Sequence, residues 1–411
     1  MTRLEDLPWL RRLMACSATI NRRPVMNRFV VLIQDHTPLT ALASPREAIR
    51  QFTPNWFAVT MGTGVLSLAL AQLPGDMAAV REAGEGLWFL NIGLFMLFSV
   101  MYACRWLLFF DEARQVFGHS TVSMFFGTIP MGLATIISGL LVYGPARWGT
   151  AIVPLAEALW WLDVAMAMVC GVLIPFMMFT RQDHSIEKMT AVWLLPVVAA
   201  EVAAACGGLL TPHLAAADSQ FAVLVTSYVL WAYSVPVALS ILVILLLRLA
   251  LHKLPHESMA ASSWLALGPI GTGALGMLVM GSEAPAIFAA HGLASVGTVA
   301  AGIGVVVGTL FWGLGLWWMA LAVLITARYF KQGIEFNLGW WAFTFPLGVY
   351  ALATLKLGAA LHLGFFDAFG AGLVALLTLI WLMVSTRTLA GAYRGHLFVS
   401  PCIASAKCIR R

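Results

Sequence analysis

Ten apolar stretches divide this chain, near residues 54–74, 87–109, 121–144, 154–179, 190–211, 221–248, 264–282, 300–327, 338–360 and 368–390. About twenty apolar residues coiled as a helix cross the hydrocarbon of a bilayer. Lipid offers the backbone no hydrogen-bond partner, so each stretch must satisfy its own amides, and a helix does so. With 61% hydrophobic and 10% charged residues over 411 positions, the chain has too little polar surface to cover a soluble domain of that size. The expected fold is an all-α integral membrane protein of ten transmembrane helices, with both termini on one side.

The distribution of Lys and Arg orients it. Arg3, Arg11, Arg12, Arg22, Arg23, Arg28, Arg46 and Arg50 precede the first span, and Arg387, Arg394, Lys407, Arg410 and Arg411 follow the last. The turns on that same side add Arg105, Arg114, Arg181, Lys188, Arg248, Lys253, Arg328 and Lys331, whereas the opposite turns carry Arg81 and Arg147. The positive-inside rule then puts both termini in the cytoplasm of a multi-pass plasma or inner membrane protein. This bias accounts for the net charge of +5, so nucleic acid is not an expected partner. Residues 1–50 read as a cytoplasmic extension, 51–392 as the membrane domain and 393–411 as a cytoplasmic tail. Within the extension, Ser44 and Glu47 have the spacing of a helix-capping pair. Cys104, Cys170 and Cys206 lie in spans and the other cysteines on the reducing side, a pattern that does not favour structural disulfides. No HExxH or CxxC spacing marks a metal site, and no cofactor is implied.

The odd-numbered spans begin about seventy residues apart, which suggests one helical hairpin repeated five times. Four of them carry a proline near their start: Pro130, Pro196, Pro269 and Pro346. The first has Gly62-Thr63-Gly64 instead. A proline inside a helix removes one backbone hydrogen bond and bends it, so the expectation is an inner ring of five kinked helices around a central pore. The even spans, rich in Leu, Val, Ile, Phe and Trp, would face lipid or another subunit. The tryptophans are expected in interfacial belts and packing.

The ninth span adds Lys356, and the fifth adds Glu201. A charge at membrane depth is by default a pathway or pairing residue. Lys356 lies toward the far mouth, where one ammonium would raise the local anion concentration. A lone carboxylate at Glu201 would be neutral, or paired with Lys356 or a backbone donor. Thr63, Thr128, Thr272 and Thr344 are candidate hydroxyl donors along an anion path. Catalytic chemistry would need a converging set of His, Asp or Glu, and Glu201 with Lys356 is not such a set, so a membrane-embedded enzyme is disfavoured.

The segments FTPNWFAVTMGTGVLSLAL at 52–70 and FNLGWWAFTFPLGVYALATLKLG at 336–358 resemble the signature spans of the tellurite-resistance/C4-dicarboxylate transporter family, which includes malic acid transport proteins, sulfite efflux pumps and plant slow anion channels. The resemblance implies ten helices in five hairpins, odd helices lining the pore, a homotrimer, and a phenylalanine gate on the ninth helix. Phe345 matches that gate, and it lies eleven residues before Lys356, close to three full turns, so the two share a face. The function implied is transport of small anions. C4-dicarboxylates such as malate are placed first, sulfite efflux second, and chloride or nitrate conduction third.

Overall fold

The computed structural model describes residues 38–75, 77–401 and 403; most of the N-terminal extension and the end of the tail lie outside the described residues. Ten α-helices of fourteen residues or more carry the fold: α1 (Ala58–Ala71), α2 (Ala78–Leu108), α3 (Thr128–Trp148), α4 (Val153–Thr180), α5 (Leu195–Leu210), α6 (Ala217–His252), α7 (Leu267–Ala290), α8 (Ala294–Gln332), α9 (Thr344–Leu361) and α10 (Gly364–Arg394). No strand occurs among the described residues. Among the described residues, eight segments are long and apolar enough to cross a membrane; one of them, Val122–Thr180, holds both α3 and α4, and the fourteen residues of α1 fall short on their own.

Burial separates the helices into two shells. The most apolar windows of the segments holding α5, α7 and α9 are 83%, 83% and 78% buried, against 17% for α2 and α8, so only the odd helices are wrapped by protein on all sides. Each odd helix packs on the even helix that follows it. The odd helices also pack in sequence, α1 on α3, α3 on α5, α5 on α7, α7 on α9, and α9 back on α1, which closes a ring. Gly127 allows one close approach in this ring: a Cβ there would sit 2.1 Å from the carbonyl oxygen of Leu195.

Every odd helix is entered through a 3-10 segment: Pro54–Phe57, Val122–Gly127, Ala191–Leu194, Glu257–Ala266 and Leu338–Phe343. The four prolines expected at kinks sit close to these changes of winding. Pro130, Pro196, Pro269 and Pro346 each fall within the first three residues of their α-helix. The winding is helical on both sides of each junction, since Gly127, Leu194, Ala266 and Phe343 all have right-handed helical dihedrals, so each proline removes one backbone donor where the winding changes. The prolines therefore mark the change from 3-10 to α winding.

The Ser44 cap also fails to form. The short helix Arg46–Arg50 starts after Pro45 with no side-chain cap, and the Glu47 carboxylate instead accepts from Arg50 at 3.1 Å and Gln51 at 3.1 Å. Both expected tails begin as part of the body. Leu39 N–H donates to the Tyr393 carbonyl at 2.7 Å, Ser400 N–H to Gln51 Oε1 at 3.1 Å, and Phe398 stacks on Trp56 at 4.9 Å.

One tryptophan from each even helix fastens the shells together. Trp88 on α2 donates its indole N–H to the Ile136 carbonyl on α3 (3.1 Å), and Trp160 on α4 to that of Ala203 on α5 (2.9 Å). Trp231 on α6 donates to Gly273 O on α7 (3.0 Å), Trp312 on α8 to Thr354 Oγ1 on α9 (3.0 Å), and Trp381 on α10 to Thr63 Oγ1 on α1 (3.1 Å). Each bond runs to the next hairpin, so the set links neighbours around the ring and the last closes it. These five are inward hydrogen-bond donors and not members of an interfacial belt. Removing the closing donor with Trp381→Phe should destabilise the protein by about 1 kcal/mol, the scale of an interhelical hydrogen bond in a membrane protein. Thermal unfolding in detergent checks this, with Trp317→Phe, at a half-exposed ring, expected to leave the transition unchanged.

Candidate functional site

Two cavities lie in line inside the ring. At the N-terminal ends of the odd helices an open vestibule of about 440 Å³ is bounded by one residue or more from each 3-10 segment, among them Asn55, Phe125, Val192, Ser262 and Leu338. Deeper, a cavity of about 70 Å³ is lined by all five odd helices, with Val65, Thr135, Cys206, Thr272 and Phe345 contributed by α1, α3, α5, α7 and α9 in turn. Trp341 and Met61 belong to the wall of the vestibule. Phe345, one turn beyond Trp341, belongs to the wall of the deeper cavity and is 3% exposed. It therefore stands where the wide space gives way to the narrow one.

The deeper cavity has no Asp, Glu, His, Lys or Arg in its wall. Its polar groups are hydroxyls, one thiol and the side chain of Gln72, the C-cap residue of α1. Thr135 is committed, donating to Gly132 O at 2.8 Å and accepting from Asn91 Nδ2 at 3.1 Å. Cys206 Sγ lies 3.7 Å from the Ala134 carbonyl. Thr272 Oγ1 is buried with no hydrogen-bond partner. Ser138, which lies beside Cys206, completes the set.

Of the residues singled out from the sequence, Phe345 and Thr272 meet in this cavity and four others do not. Thr63 turns outward to accept from Trp381. Thr128 clasps the entries of α1 and α3 by donating to Pro54 O (3.0 Å) and Phe125 O (2.7 Å). Thr344 donates to Trp341 O at 2.7 Å and is fully buried. Glu201 is fully buried behind α5 on the α6 side, beside Ser234, whose hydroxyl donates to Val197 O at 2.8 Å. A hydroxyl inside an apolar helix satisfies itself on the nearest carbonyl, which is why these threonines serve packing. Sequence reasoning missed Ser138 and Cys206. Asp163 on α4 is also fully buried beside Cys206, its carboxylate with no hydrogen-bond partner among the described residues.

On α9 the cavity face runs Phe345, Val349, Leu352, a spacing of four and three that continues to Lys356. Lys356 is half-buried, one turn beyond the lining. The same spacing leads from Val279 to Glu283 on α7 and from Leu209 on α5 to His213 in the 3-10 turn that follows it, and these two are close enough to interact electrostatically. The far mouth thus carries both signs of charge. At the vestibule end, His119 caps a turn, its Nδ1 accepting from the N–H groups of Thr121 and Val122, both at 3.2 Å. Burial holds the His119 imidazole below its ordinary range, so the neutral ring is the folded form. Its contribution is present above the histidine range and is lost as pH falls through the folded value.

The family model described as SLAC1, voltage-dependent anion channel, matches residues 51–389. The chain belongs to this family. It is 36% identical over 353 residues to a protein of Arthroderma benhamiae named sulfite efflux pump, covering 85% of this chain and 93% of that protein. It is 28% identical to an uncharacterised transporter of Methanocaldococcus jannaschii, covering 88% and 99%, and 26% identical to the malic acid transport protein of Schizosaccharomyces pombe, covering 85% and 79%. The chain is accordingly a multi-pass membrane protein that transports small anions, and not an enzyme.

With opposite charges at the far mouth, substitutions there should act in opposite directions. Lys356→Gln should lower anion flux into liposomes at low ionic strength and Glu283→Gln should raise it. Both differences should shrink above about 0.1 M salt, where charges more than roughly 10 Å apart are screened.

Proposed function

We propose that the chain moves sulfite along the axis of the ring, through a pore gated by Phe345. The size of the deeper cavity carries this reading. A cavity of about 150 Å³ takes up a benzene-sized ligand, and the space here, about 70 Å³, is half of that. It suits a compact, four-atom oxyanion better than a nine-atom dicarboxylate. The 36% identity to proteins named sulfite efflux pumps supports the same choice, since malate appears in the name of a relative at 26%. Malate, placed first by resemblance alone, therefore ranks behind sulfite, and chloride or nitrate conduction behind both.

The basic bias of the termini and their adjoining turns supports a cytoplasmic vestibule, with Lys356 and Glu283 at the outer mouth of a cell membrane protein. Residues 51–392 form the transport domain, flanked by the extension and the tail. Large apolar residues exposed along the even helices, such as Leu107, Val243, Leu310 and Leu379, suit lipid and the subunit contacts of a homotrimer. No cofactor or metal is assigned.

Replacing the gate tests the proposal. Phe345→Ala widens the step between vestibule and cavity and should raise passive sulfite flux into proteoliposomes several-fold, with the thermal transition shifted only modestly. Unchanged flux in a folded variant would remove Phe345 from the gate.

A further inference from the structure

We infer that the deeper cavity is a subsite for a singly charged oxyanion, so that the cargo is hydrogensulfite and not the sulfite dianion. The inference rests on the sulfite reading above and specifies which protonation state passes.

Thr272 points to a ligand. Its hydroxyl is 1% exposed, has no partner, and lies in the cavity wall. A buried hydroxyl ordinarily finds a partner: Thr60, Thr128, Thr135, Thr344 and Thr354 donate to a carbonyl three or four residues back, and Thr63 accepts from Trp381. Thr272 forgoes that bond and keeps its proton for what enters the cavity. Ser138 and Cys206 lie in the same wall, paired with each other and with the Ala134 carbonyl, and add polar but neutral groups beside it. All of these groups are neutral.

The absence of charge in the wall then selects among anions. The cost of moving an ion out of water grows with the square of its charge, so a dianion costs roughly four times as much as a monoanion of similar size. Neutral donors strengthen only in proportion to the charge they face, and no cation in the wall makes up the difference. The charged groups nearby lie elsewhere. Lys356, Glu283 and His213 occupy the outer mouth, His396 lines the vestibule, and Asp163 and Glu201 stand behind α5, where any negative charge on them would oppose a dianion further. Hydrogensulfite also brings a proton of its own, for which Thr135 Oγ1 and Thr272 Oγ1 are acceptors. Sulfite then crosses with one proton without a titrating group in the protein.

The test measures initial uptake of radiolabelled sulfite into proteoliposomes, with protein-free liposomes subtracted for leakage of sulfur dioxide. Hydrogensulfite is held constant while pH and total sulfite are raised together, so that only the dianion increases. The expected rate is constant across the series, and a rate that climbs with the dianion overturns the inference. Nitrate, which has no second ionisation, is run at the same pH values and should give a flat profile. A nitrate rate that varies with pH would show the protein titrating instead of the cargo, and also overturns it. Protein that conducts nitrate but no sulfite at any pH would remove the sulfite reading itself. Thr272→Val should raise KM for hydrogensulfite about tenfold, the scale of one hydrogen bond to a charged group, and Thr272→Ser should restore it. An unchanged KM in a folded Thr272→Val variant would remove Thr272 from the subsite.

Discussion

Five indole N–H groups hold this molecule in its working shape. An α-helix in lipid has no unsatisfied backbone to offer a neighbour and gains little from apolar contact, because lipid is equally apolar. What distinguishes one helix arrangement from another is close packing and the few polar bonds that cross between helices. Trp88, Trp160, Trp231, Trp312 and Trp381 supply such a bond at every outer-to-inner junction. Small residues on the receiving helices let the large rings in. A Cβ at Gly139 would meet Trp88 at 2.2 Å, and one at Gly207 would meet Trp160 at 2.6 Å. Since each bond reaches the next hairpin, the hairpins are ordered around an axis, and the axis is where the cavities lie.

Winding complements this arrangement. The 3-10 entries are narrower than the α-helices that follow, and prolines near the junctions fix φ where the winding changes. Where the five entries converge, the vestibule is wide, and where the α-helices take over with side chains such as Phe345 and Leu352 directed inward, it narrows. Trp341 links these two levels. Its indole donates to Thr388 Oγ1 on α10 at 3.0 Å, its carbonyl accepts from Thr344, and Phe345 follows one turn later. Movement at the outer helix α10 therefore has a mechanical route to the narrow level through a single residue.

Much of the architecture was legible from the chain, because apolar length and the seventy-residue recurrence are coarse signals that tertiary contacts do not override. The place of Phe345 on the axial face of α9 was legible too, since helical geometry set it on one face with Lys356; its role as a gate is a proposal. The polar inventory was not. In an inner helix that is apolar on all sides, no periodicity tells which face meets the axis, so Thr63, Thr128, Thr272 and Thr344 looked equivalent. Their roles depend on which carbonyl or indole each can reach, and only packing decides that. The five tryptophans recur at nearly the hairpin interval, yet their direction is invisible in sequence, and a membrane belt is the usual home of the residue.

The distribution of charge along the axis follows from what transport demands. A fixed cation inside a space as small and dry as the deeper cavity would hold an anion strongly and slow its departure. The wall there consists of apolar side chains with hydroxyl and thiol donors, which compensate only part of the lost hydration. Charge is kept to the half-exposed mouth, where Lys356 and Glu283 sit in reach of solvent and can bias approach without trapping the ion. Phe345 adds no polarity at the narrow level, so in the proposed gate closure depends on shape alone. A neutral narrow segment between a wide vestibule and a charged mouth passes an ion by making its stay brief.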